Sequence, residues 1–231
     1  MNVQPKIEFS GVNQNNDQPQ KVHSSTVKLL YDKGDQLLYK GYSKNYCTIV
    51  TDKPSETKTT DFKFVKCTDA DGNNYSVVHI GSQTWMAENL KTKKFRNGET
   101  ISEQAPYNND QYNADKYGRL YTWIAATDIR NIAPIGWHVP SDEEWTNLQT
   151  YLIANGYNYN GITTNNLIGK SLCATTDWWS HSTTGTIGTD LRKNNSSGFG
   201  ALPGGLTYDL KSFNYIGGYG YWWSSTERNS T

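Results

Sequence analysis

One short stretch, residues 136–145, fixes where a helix must begin. Ser141 is followed three residues later by Glu144, which is the spacing of a capping box. In this motif the serine hydroxyl accepts a hydrogen bond from the Glu144 amide, and the glutamate carboxylate accepts one from the Ser141 amide. Asp142 and Glu143 add negative charge to the first turn, where the helix dipole favours it. The sequence therefore predicts a helix that is capped by Ser141 and Glu144.

The same helix carries an apolar stripe that should tie it to a core. Trp145, Leu148 and Leu152 recur at helical spacing. Asn155-Gly156 is expected to end the helix, because glycine accepts the left-handed conformation of many helix exits. Trp137 lies on the other side of the cap, so we expect it and Trp145 to fasten the helix to the rest of the fold.

The composition favours a β-rich, loop-rich fold with large aromatic anchors. Of the 231 residues, 13% are aromatic, including 8 tryptophans and 16 tyrosines, and 20 are glycines. The 22 basic and 22 acidic side chains balance, so we expect no nucleic-acid partner, which would need a basic face. No apolar run approaches the ~20 residues that span a bilayer, so no membrane-spanning segment is expected.

The three cysteines, Cys47, Cys67 and Cys173, are far apart and odd in number. This spacing matches neither a zinc site nor a disulfide framework. At most one bridge can form, and Cys47 could pair with Cys67 if two N-terminal strands are neighbours. Buried free thiols are the alternative.

Composition divides the chain into three parts. Residues 1–22 are polar and rich in Asn and Gln, which is typical of a flexible arm. Residues 66–231 form the main domain, and residues 23–65 form a small β-rich region that is either an independent module or an extra layer on that domain. Strands are predicted in the β-rich region at residues 27–31, 36–40, 46–50 and 61–65.

Turn chemistry organises the first half of the main domain. Asp71-Gly72 and Asn97-Gly98 tolerate the positive φ of hairpin turns, so each predicts a hairpin. Residues 102–116 are rich in Asn, Tyr and Asp and predict a surface loop. Residues 118–126 predict a strand that passes into a short helix near Trp123.

The second half of the main domain is expected to be mostly irregular. Residues 157–198 hold many Asn, Thr, Ser and Gly, which predicts a long loop excursion. Loops of that length inside a compact domain are usually functional. Short strands are predicted at residues 198–205 and 220–227, with close backbone approaches at their glycines.

Six motifs between residue 66 and the end carry a family resemblance. They are Asp69-Ala70-Asp71-Gly72-Asn73, Trp85-Met86-Ala87-Glu88-Asn89-Leu90, Tyr117-Gly118-Arg119-Leu120-Tyr121, Gly136-Trp137-His138-Val139-Pro140, Gly198-Phe199 with Ala201-Leu202-Pro203-Gly204-Gly205, and Tyr221-Trp222-Trp223-Ser224-Ser225-Thr226-Glu227. In this order they resemble the Fibrobacter succinogenes major paralogous domain, a family of bacterial, largely Bacteroidetes-type, surface and secreted proteins.

The resemblance implies an α+β, C-type-lectin-like fold related to that of the formylglycine-generating enzymes. Such a fold would have short β-hairpins, one or two helices and long irregular loops. The resemblance also implies a location outside the cell or on its surface. It supplies no catalytic residues, because the family has none established.

Two departures from the family pattern concern the C-terminal part. The family often has a cysteine just before the Pro-x-Gly-Trp-His motif, where this chain has Ala133. The usual partner of that cysteine, near a final strand, is absent because the sequence stops at Thr231. The expectation is a domain that lacks its final strands.

Neither a metal nor a cofactor is expected. Asp69, Asp71 and Asn73 could offer oxygen ligands to calcium, but a hairpin turn explains the same residues, and the later bidentate Glu of an EF-hand is missing. The histidines show no paired spacing, and His138, beside the cap and two tryptophans, is expected to be a hydrogen-bonded core residue. No cysteine lies in a motif that matches the formylglycine-generating enzymes, so no enzymatic activity is expected.

The aromatic residues fall into two groups. Tryptophans in apolar motifs are expected to form the structural core, and these are Trp85, Trp137, Trp145, Trp222 and Trp223. Rings among Gly, Ser and Asn in loops are the candidate ligand-binding residues, and these are Trp178, Trp179, His181, Tyr215 and Tyr219. Exposed flat rings give contact area at little entropy cost, while nearby amides and hydroxyls fix orientation. The alternative is that such rings only pin their loops to the core.

The leading hypothesis is a non-catalytic recognition module, outside the cell or on its surface, that binds a surface glycan or protein through residues 157–220. One alternative is a structural cap or spacer in a surface appendage or phage fibre. A second alternative is an oxidase of the formylglycine-generating type.

Overall fold

The structure is a computed structural model that describes residues 31–32, 34–56 and 59–228. It belongs to the α+β class, as predicted, and combines small sheets with short helices. The C-type-lectin-like relation stays a prediction. The expected arm at residues 1–22 lies outside the described residues, as does the predicted strand at 27–31 except for Tyr31.

A four-stranded sheet forms the centre of the fold. Its strands are β1 (Leu37–Ser43), β2 (Tyr46–Asp52), β3 (Ser76–Ile80) and β4 (Gln83–Met86), in that spatial order. β1 pairs antiparallel with β2, β2 pairs parallel with β3, and β3 pairs antiparallel with β4. The parallel pair places Ile49 beside Val78 and joins the N-terminal strands to the central part of the chain in one sheet.

The strand predicted at residues 61–65 does not form. This segment has no regular structure, although it runs beside the sheet. The Thr48 hydroxyl donates to the Lys63 carbonyl at 3.0 Å, and the Phe62 ring lies where a side chain at Gly41 would stand. Side-chain contacts rather than a strand ladder therefore hold this segment, which explains why its alternating pattern is misleading.

The capped helix, α3 (Asp142–Ala154), confirms the sequence prediction. The Glu144 amide donates to Ser141 Oγ at 3.2 Å, and the Ser141 amide donates to Glu144 Oε2 at 2.8 Å. Leu148 and Leu152 are completely buried. Gly156 follows with a φ of 74°, so the helix exit is left-handed.

Tryptophans and the apolar stripe of α3 build the core on the four-stranded sheet. The Trp85 and Trp145 ring centroids are 4.8 Å apart, and Phe199 packs against both. Trp137 lies at a separate cluster formed by Cys67, Tyr75 and Val77, and its indole N–H donates to the Lys66 carbonyl at 2.9 Å. The helix is thus fastened on both sides of its cap.

The middle of the chain is more regular than its composition suggests. β5 (Gln104–Ala105) pairs with β6 (Leu120–Tyr121), and β6 leads into α2 (Trp123–Thr127), as predicted. The predicted loop at 102–116 is wrong in part, because it contains α1 (Gln111–Tyr117). Asp110 caps this helix by accepting the Tyr112 amide at 2.9 Å.

The C-terminal third has little regular structure. Its elements are α4 (Gly169–Leu172), a short 3-10 turn at Leu191–Lys193, and the hairpin of β7 (Leu206–Thr207) and β8 (Phe213–Asn214). Another 3-10 turn lies in the middle of the chain, at Tyr107–Asn109. The strands predicted at 198–205 and 220–227 are wrong, since only Ala201 makes a single bridge, to Cys173. Positive φ at Gly198, Gly200 and Gly205 breaks the extended conformation there.

Candidate ligand-binding surface

Four exposed rings form a surface that we call the aromatic surface, which consists of Trp179, Tyr215, Tyr219 and Tyr221. Between 50% and 59% of each residue is exposed. The three tyrosines contact one another in series. The ring centroids of Tyr215 and Tyr219 are 5.2 Å apart and edge-on, and those of Tyr219 and Tyr221 are 6.2 Å apart and nearly parallel.

The turn after β8 positions the tyrosines. Tyr215 has a φ of 65°, and its carbonyl accepts the Gly218 amide at 3.0 Å and the Tyr219 amide at 3.1 Å. The Tyr219 carbonyl in turn accepts the Gly205 amide at 2.9 Å, which connects the turn to the buried segment after Ala201. The rings are therefore carried by a backbone that is hydrogen-bonded at both ends.

Trp179 lies against the same turn. Its amide donates to the Gly217 carbonyl at 2.7 Å, and its indole covers Gly217 and Gly218. A Cβ at Gly218 would stand 2.6 Å from Trp179 Cζ3, so only glycine permits this approach. The backbone of the turn therefore supports one part of the indole and leaves the rest exposed.

The polar groups of these rings have no described protein partner. Within the described part of the chain, no protein acceptor meets the Trp179 indole N–H or the hydroxyls of Tyr215, Tyr219 and Tyr221. Each tyrosine thus combines apolar area with a hydroxyl that has no described protein partner, whereas the Nε1 edge of Trp179 lies against Gly217. Tyr221 is absent from the sequence prediction, although the alternation of glycine and tyrosine over residues 217–221 could have pointed to it.

Trp178 corrects the sequence prediction, which groups it with the ligand-binding rings. It is only 8% exposed and packs in the core beside Leu148, Leu152 and Phe199. Its indole N–H donates to the Ala201 carbonyl at 3.2 Å. Trp178 therefore has no free face for a ligand, and the two adjacent tryptophans point to different environments.

Asp177 fixes the start of this tryptophan pair to α1. Its carboxylate pairs with Lys116, accepts the Tyr117 hydroxyl at 3.2 Å and accepts the Thr176 hydroxyl at 2.7 Å. Burial alone raises the pKa of Asp177, but the hydrogen bonds from Lys116 and Thr176 outweigh it and hold the pKa below its ordinary value. Asp177 is therefore a charged tie between the helix and the loop.

His181 is exposed but tied to its own loop. Its amide donates to the Gly188 carbonyl at 3.2 Å, and its ring Nδ1 accepts the Thr183 amide at 3.0 Å. The structure thus keeps His181 on the loop that follows Trp179 and brings it into no described contact with the four rings.

Trp222 and Trp223 correct the expectation of core packing. They are 40% and 46% exposed, although their indole N–H groups donate to Asn89 Oδ1 and to the Tyr121 carbonyl. Trp223 also packs edge-on against Trp123 at 5.7 Å. Hydrogen bonds fix these two rings at the surface, so apolar sequence surroundings do not imply burial here.

Buried polar side chains hold the long loop that precedes the aromatic surface. The Lys170 ammonium donates to the carbonyls of residues 186, 187, 189 and 190. Burial lowers the pKa of Lys170, while the Asp190 carboxylate opposes that effect. Asn158 Nδ2 donates to the Ile162 carbonyl at 2.7 Å, and Asn194 Nδ2 donates to the Ala174 carbonyl at 3.0 Å.

The residues considered for calcium serve the turn instead. Asp69 Oδ1 accepts the amides of Asp71 and Asn73, both at 2.9 Å, and Asp69 Oδ2 accepts the Tyr75 hydroxyl at 2.5 Å. Among residues that the structure describes, no group of three or more His, Cys, Asp or Glu side chains could hold a metal ion.

The three cysteines are buried free thiols, and His138 lies at the surface. Cys47, Cys67 and Cys173 are buried and unbridged, so the pairing of Cys47 with Cys67 does not form. Burial raises the pKa of both the Cys67 and Cys173 thiols to about 12, which keeps them protonated at neutral pH. His138 is exposed rather than buried, and its Nε2 lies 2.7 Å from Glu144 Oε1.

Comparison with known protein families decides the assignment of the chain. The model of the family described as the Fibrobacter succinogenes major domain matches residues 78–231, well over half of the sequence. The chain belongs to this family. The matched region of this major-domain protein contains α3, the long loop and the aromatic surface. No curated protein and no solved structure matches the chain significantly.

The longest described helix of this major-domain protein, α3, has 13 residues. No helix in the described ranges is both long enough and apolar enough to cross a membrane.

Proposed function

We propose that this protein is a non-catalytic recognition module, outside the cell or on its surface, that binds a glycan through the aromatic surface. The observation that carries the proposal is the Trp179 indole, which rests on the Gly217–Gly218 backbone with more than half of the residue exposed. An exposed tryptophan forgoes the favourable free energy of burying its apolar surface. A tryptophan ring that is nevertheless held in place at the surface is therefore a natural contact for a ligand.

The chemistry of the surface favours a sugar over a protein ligand. It combines four exposed aromatic rings with tyrosine hydroxyls that have no described protein partner. Flat rings with polar edges match sugar rings, which have apolar C–H faces and hydroxyl rims. The location outside the cell rests on the resemblance to surface and secreted proteins.

A glycan array followed by titration calorimetry on the glycans that bind would test this function. Trp179→Ala and Tyr219→Ala should each weaken binding at least tenfold, because each removes a whole stacking face. The proposal fails if both variants bind the same glycans as tightly as the unaltered protein, or if the unaltered protein binds no glycan on the array.

Tyr112→Ala is the matched control for these variants. Tyr112 lies on α1 and is 67% exposed, so its loss removes a similar exposed ring elsewhere on the surface. Its binding should equal that of the unaltered protein. Equal weakening by Tyr112→Ala would assign the effect to general surface chemistry and contradict the proposal.

A further inference from the structure

A polar depression of about 200 Å³ lies between the Asp71-Gly72 turn and α1. It is lined by Asp71, Asn73, Lys91, Lys93, Gln111, Asp115 and Arg119. It shares no residue with the aromatic surface and has no role in the function proposed above.

Arg119 is the best-fixed cation of this depression. Its Nη1 donates to Gln104 Oε1 at 2.6 Å and its Nη2 donates to Gln111 Oε1 at 3.1 Å. Both acceptors are neutral amides, and no described carboxylate forms an ion pair with the guanidinium. A guanidinium has five N–H donors, so more than half remain available in a fixed plane. Two parallel N–H donors of a guanidinium match the two oxygens of a carboxylate.

The remaining charges leave the depression positive. Lys91 and Lys93 form no ion pair with any residue that the structure describes. Asp71 is already engaged, since its Oδ2 accepts the Lys93 amide at 2.5 Å and its Oδ1 lies 3.4 Å from Lys94 Nζ. Burial alone raises the pKa of Asp71, but the hydrogen bonds from Lys93 and Thr92 outweigh it and keep the carboxylate ionised at neutral pH.

Asp115 is the only other acid in the lining, and it accepts the Gln111 amide at 2.8 Å. Three cations without described ion-pair partners therefore face one acid that lacks a cation. An anionic ligand would correct this imbalance, and a cationic ligand would not.

The size and lining of the depression indicate what carries the negative charge. At ~30 Å³ for each water molecule in the liquid, its volume of about 200 Å³ corresponds to roughly seven waters. That is more than a bare carboxylate or phosphate fills and close to the size of one sugar ring. Asn73 Nδ2 donates to Asp69, but Asn73 Oδ1 accepts no hydrogen bond from a described residue and suits a hydroxyl.

We propose that this depression binds one acidic sugar residue. Arg119 donates hydrogen bonds to the carboxylate of that sugar, and the positive charges of Lys91 and Lys93 stabilise the same carboxylate. The choice of a sugar as the molecule that carries the negative charge rests on the proposed function. The preference for an anion rests on the charges of the lining alone. The aromatic surface would then contact neutral parts of a glycan, while the depression selects glycans that contain uronic or similar acids.

Titration calorimetry at low ionic strength would test the site with glucuronate and galacturonate oligomers, neutral galactose oligomers and inorganic phosphate. The acidic oligomers should bind at least tenfold more tightly than the neutral ones. Arg119→Gln should remove most of that preference. Arg119→Lys should keep part of it, because lysine keeps the positive charge but lacks the planar pair of N–H donors. Lys211→Gln, at an exposed lysine outside the lining, should change nothing.

Because Arg119 also bonds Gln104 and Gln111, a double variant of Lys91→Gln with Lys93→Gln provides a test that leaves those bonds intact. It should also lose the preference for acidic oligomers. Trp179→Ala should keep that preference, which separates a failure of this site from a failure of the aromatic surface. Equal binding of acidic and neutral oligomers, or phosphate binding as tight as the acidic oligomers, would overturn the acidic-sugar assignment.

Discussion

Two regions of this protein hold their backbone by different means. Around α3, apolar side chains do so, since Leu148, Leu152 and Trp85 are buried together against the sheet. Across residues 157–220, buried polar side chains, above all Asn158 and Lys170, bind the backbone, while single apolar residues such as Trp178 reach the core. The difference teaches that a long irregular segment can be well fixed without an apolar stripe, which allows a ring such as Trp179 to face solvent.

A large loss of stability should come from a change in the apolar region around α3. Leu148→Ala should lower the free energy of unfolding by roughly 3 kcal/mol, because a fully buried leucine leaves a cavity that the helix and sheet cannot close. Urea unfolding would measure this change. Thr150→Ala, at an exposed position of the same helix, should change the free energy by less than about 0.5 kcal/mol. A loss below about 1 kcal/mol for Leu148→Ala would show that α3 is not packed against the sheet in this way.

A smaller but clear loss should follow in the polar region. Lys170→Met should lower the free energy of unfolding by roughly 2 kcal/mol, because the carbonyls of residues 186–190 lose their donor. It should also speed amide hydrogen exchange in that loop. Lys193→Met is the control, since Lys193 is exposed. If Lys170→Met lowered the free energy of unfolding no more than Lys193→Met does, the polar anchoring of this region would be contradicted.

The tie between α1 and the loop should show a pH dependence. Asp177→Asn should cost roughly 1–2 kcal/mol at neutral pH, since a charged acceptor for Lys116 and Tyr117 is lost. The folded-state pKa of Asp177 lies below the ordinary carboxyl value of about 4, so its stabilisation is complete above that value and is lost as the pH falls through the folded pKa.

The gap in unfolding free energy between Asp177→Asn and the unaltered protein should therefore shrink below pH 4. Asp115→Asn, at an exposed carboxylate of α1, serves as the control and should show a smaller gap at every pH. A gap for Asp177→Asn that stays constant down to pH 2 would contradict the assigned role.

The smallest expected effect concerns the helix cap. Ser141→Ala should cost about 1 kcal/mol, because the Glu144 amide loses its acceptor. Ser141→Asp should keep most of that stability, as aspartate also caps helices. Thermal unfolding of the three proteins would measure both differences, and an unchanged Tm for Ser141→Ala would mean that the cap contributes nothing.

The sequence predicts the capped helix well because its signals are local. Ser141, Glu144 and the spacing of Leu148 and Leu152 act within a few turns of one helix. The short helix α1 is missed because Asn and Tyr obscure it, although Asp110 supplies a cap that could have been recognised. Strands at 198–205 are wrongly predicted because glycines there have positive φ, which an apolar pattern does not reveal.

The candidate site is predictable only in part. The pattern of rings among glycines points to Trp179, Tyr215 and Tyr219, which are exposed in the structure, but the sequence cannot show that Trp178 turns inward. An irregular loop has no repeat that assigns alternate residues to opposite faces. The direction of each tryptophan is instead set by distant groups, such as the Ala201 carbonyl for Trp178 and Gly217 for Trp179.

These adjacent tryptophans therefore provide the most direct test of the central claim, that the loop separates a buried anchor from a ring that is free to bind. Unfolding and glycan binding would be measured together for Trp178→Ala and Trp179→Ala. We expect Trp178→Ala to lose roughly 3–5 kcal/mol of stability, whereas Trp179→Ala should stay within about 1 kcal/mol of the unaltered protein and lose glycan binding. Equal destabilisation by both variants, or full glycan binding by Trp179→Ala, would contradict the claim that the loop separates a buried anchor from a binding ring.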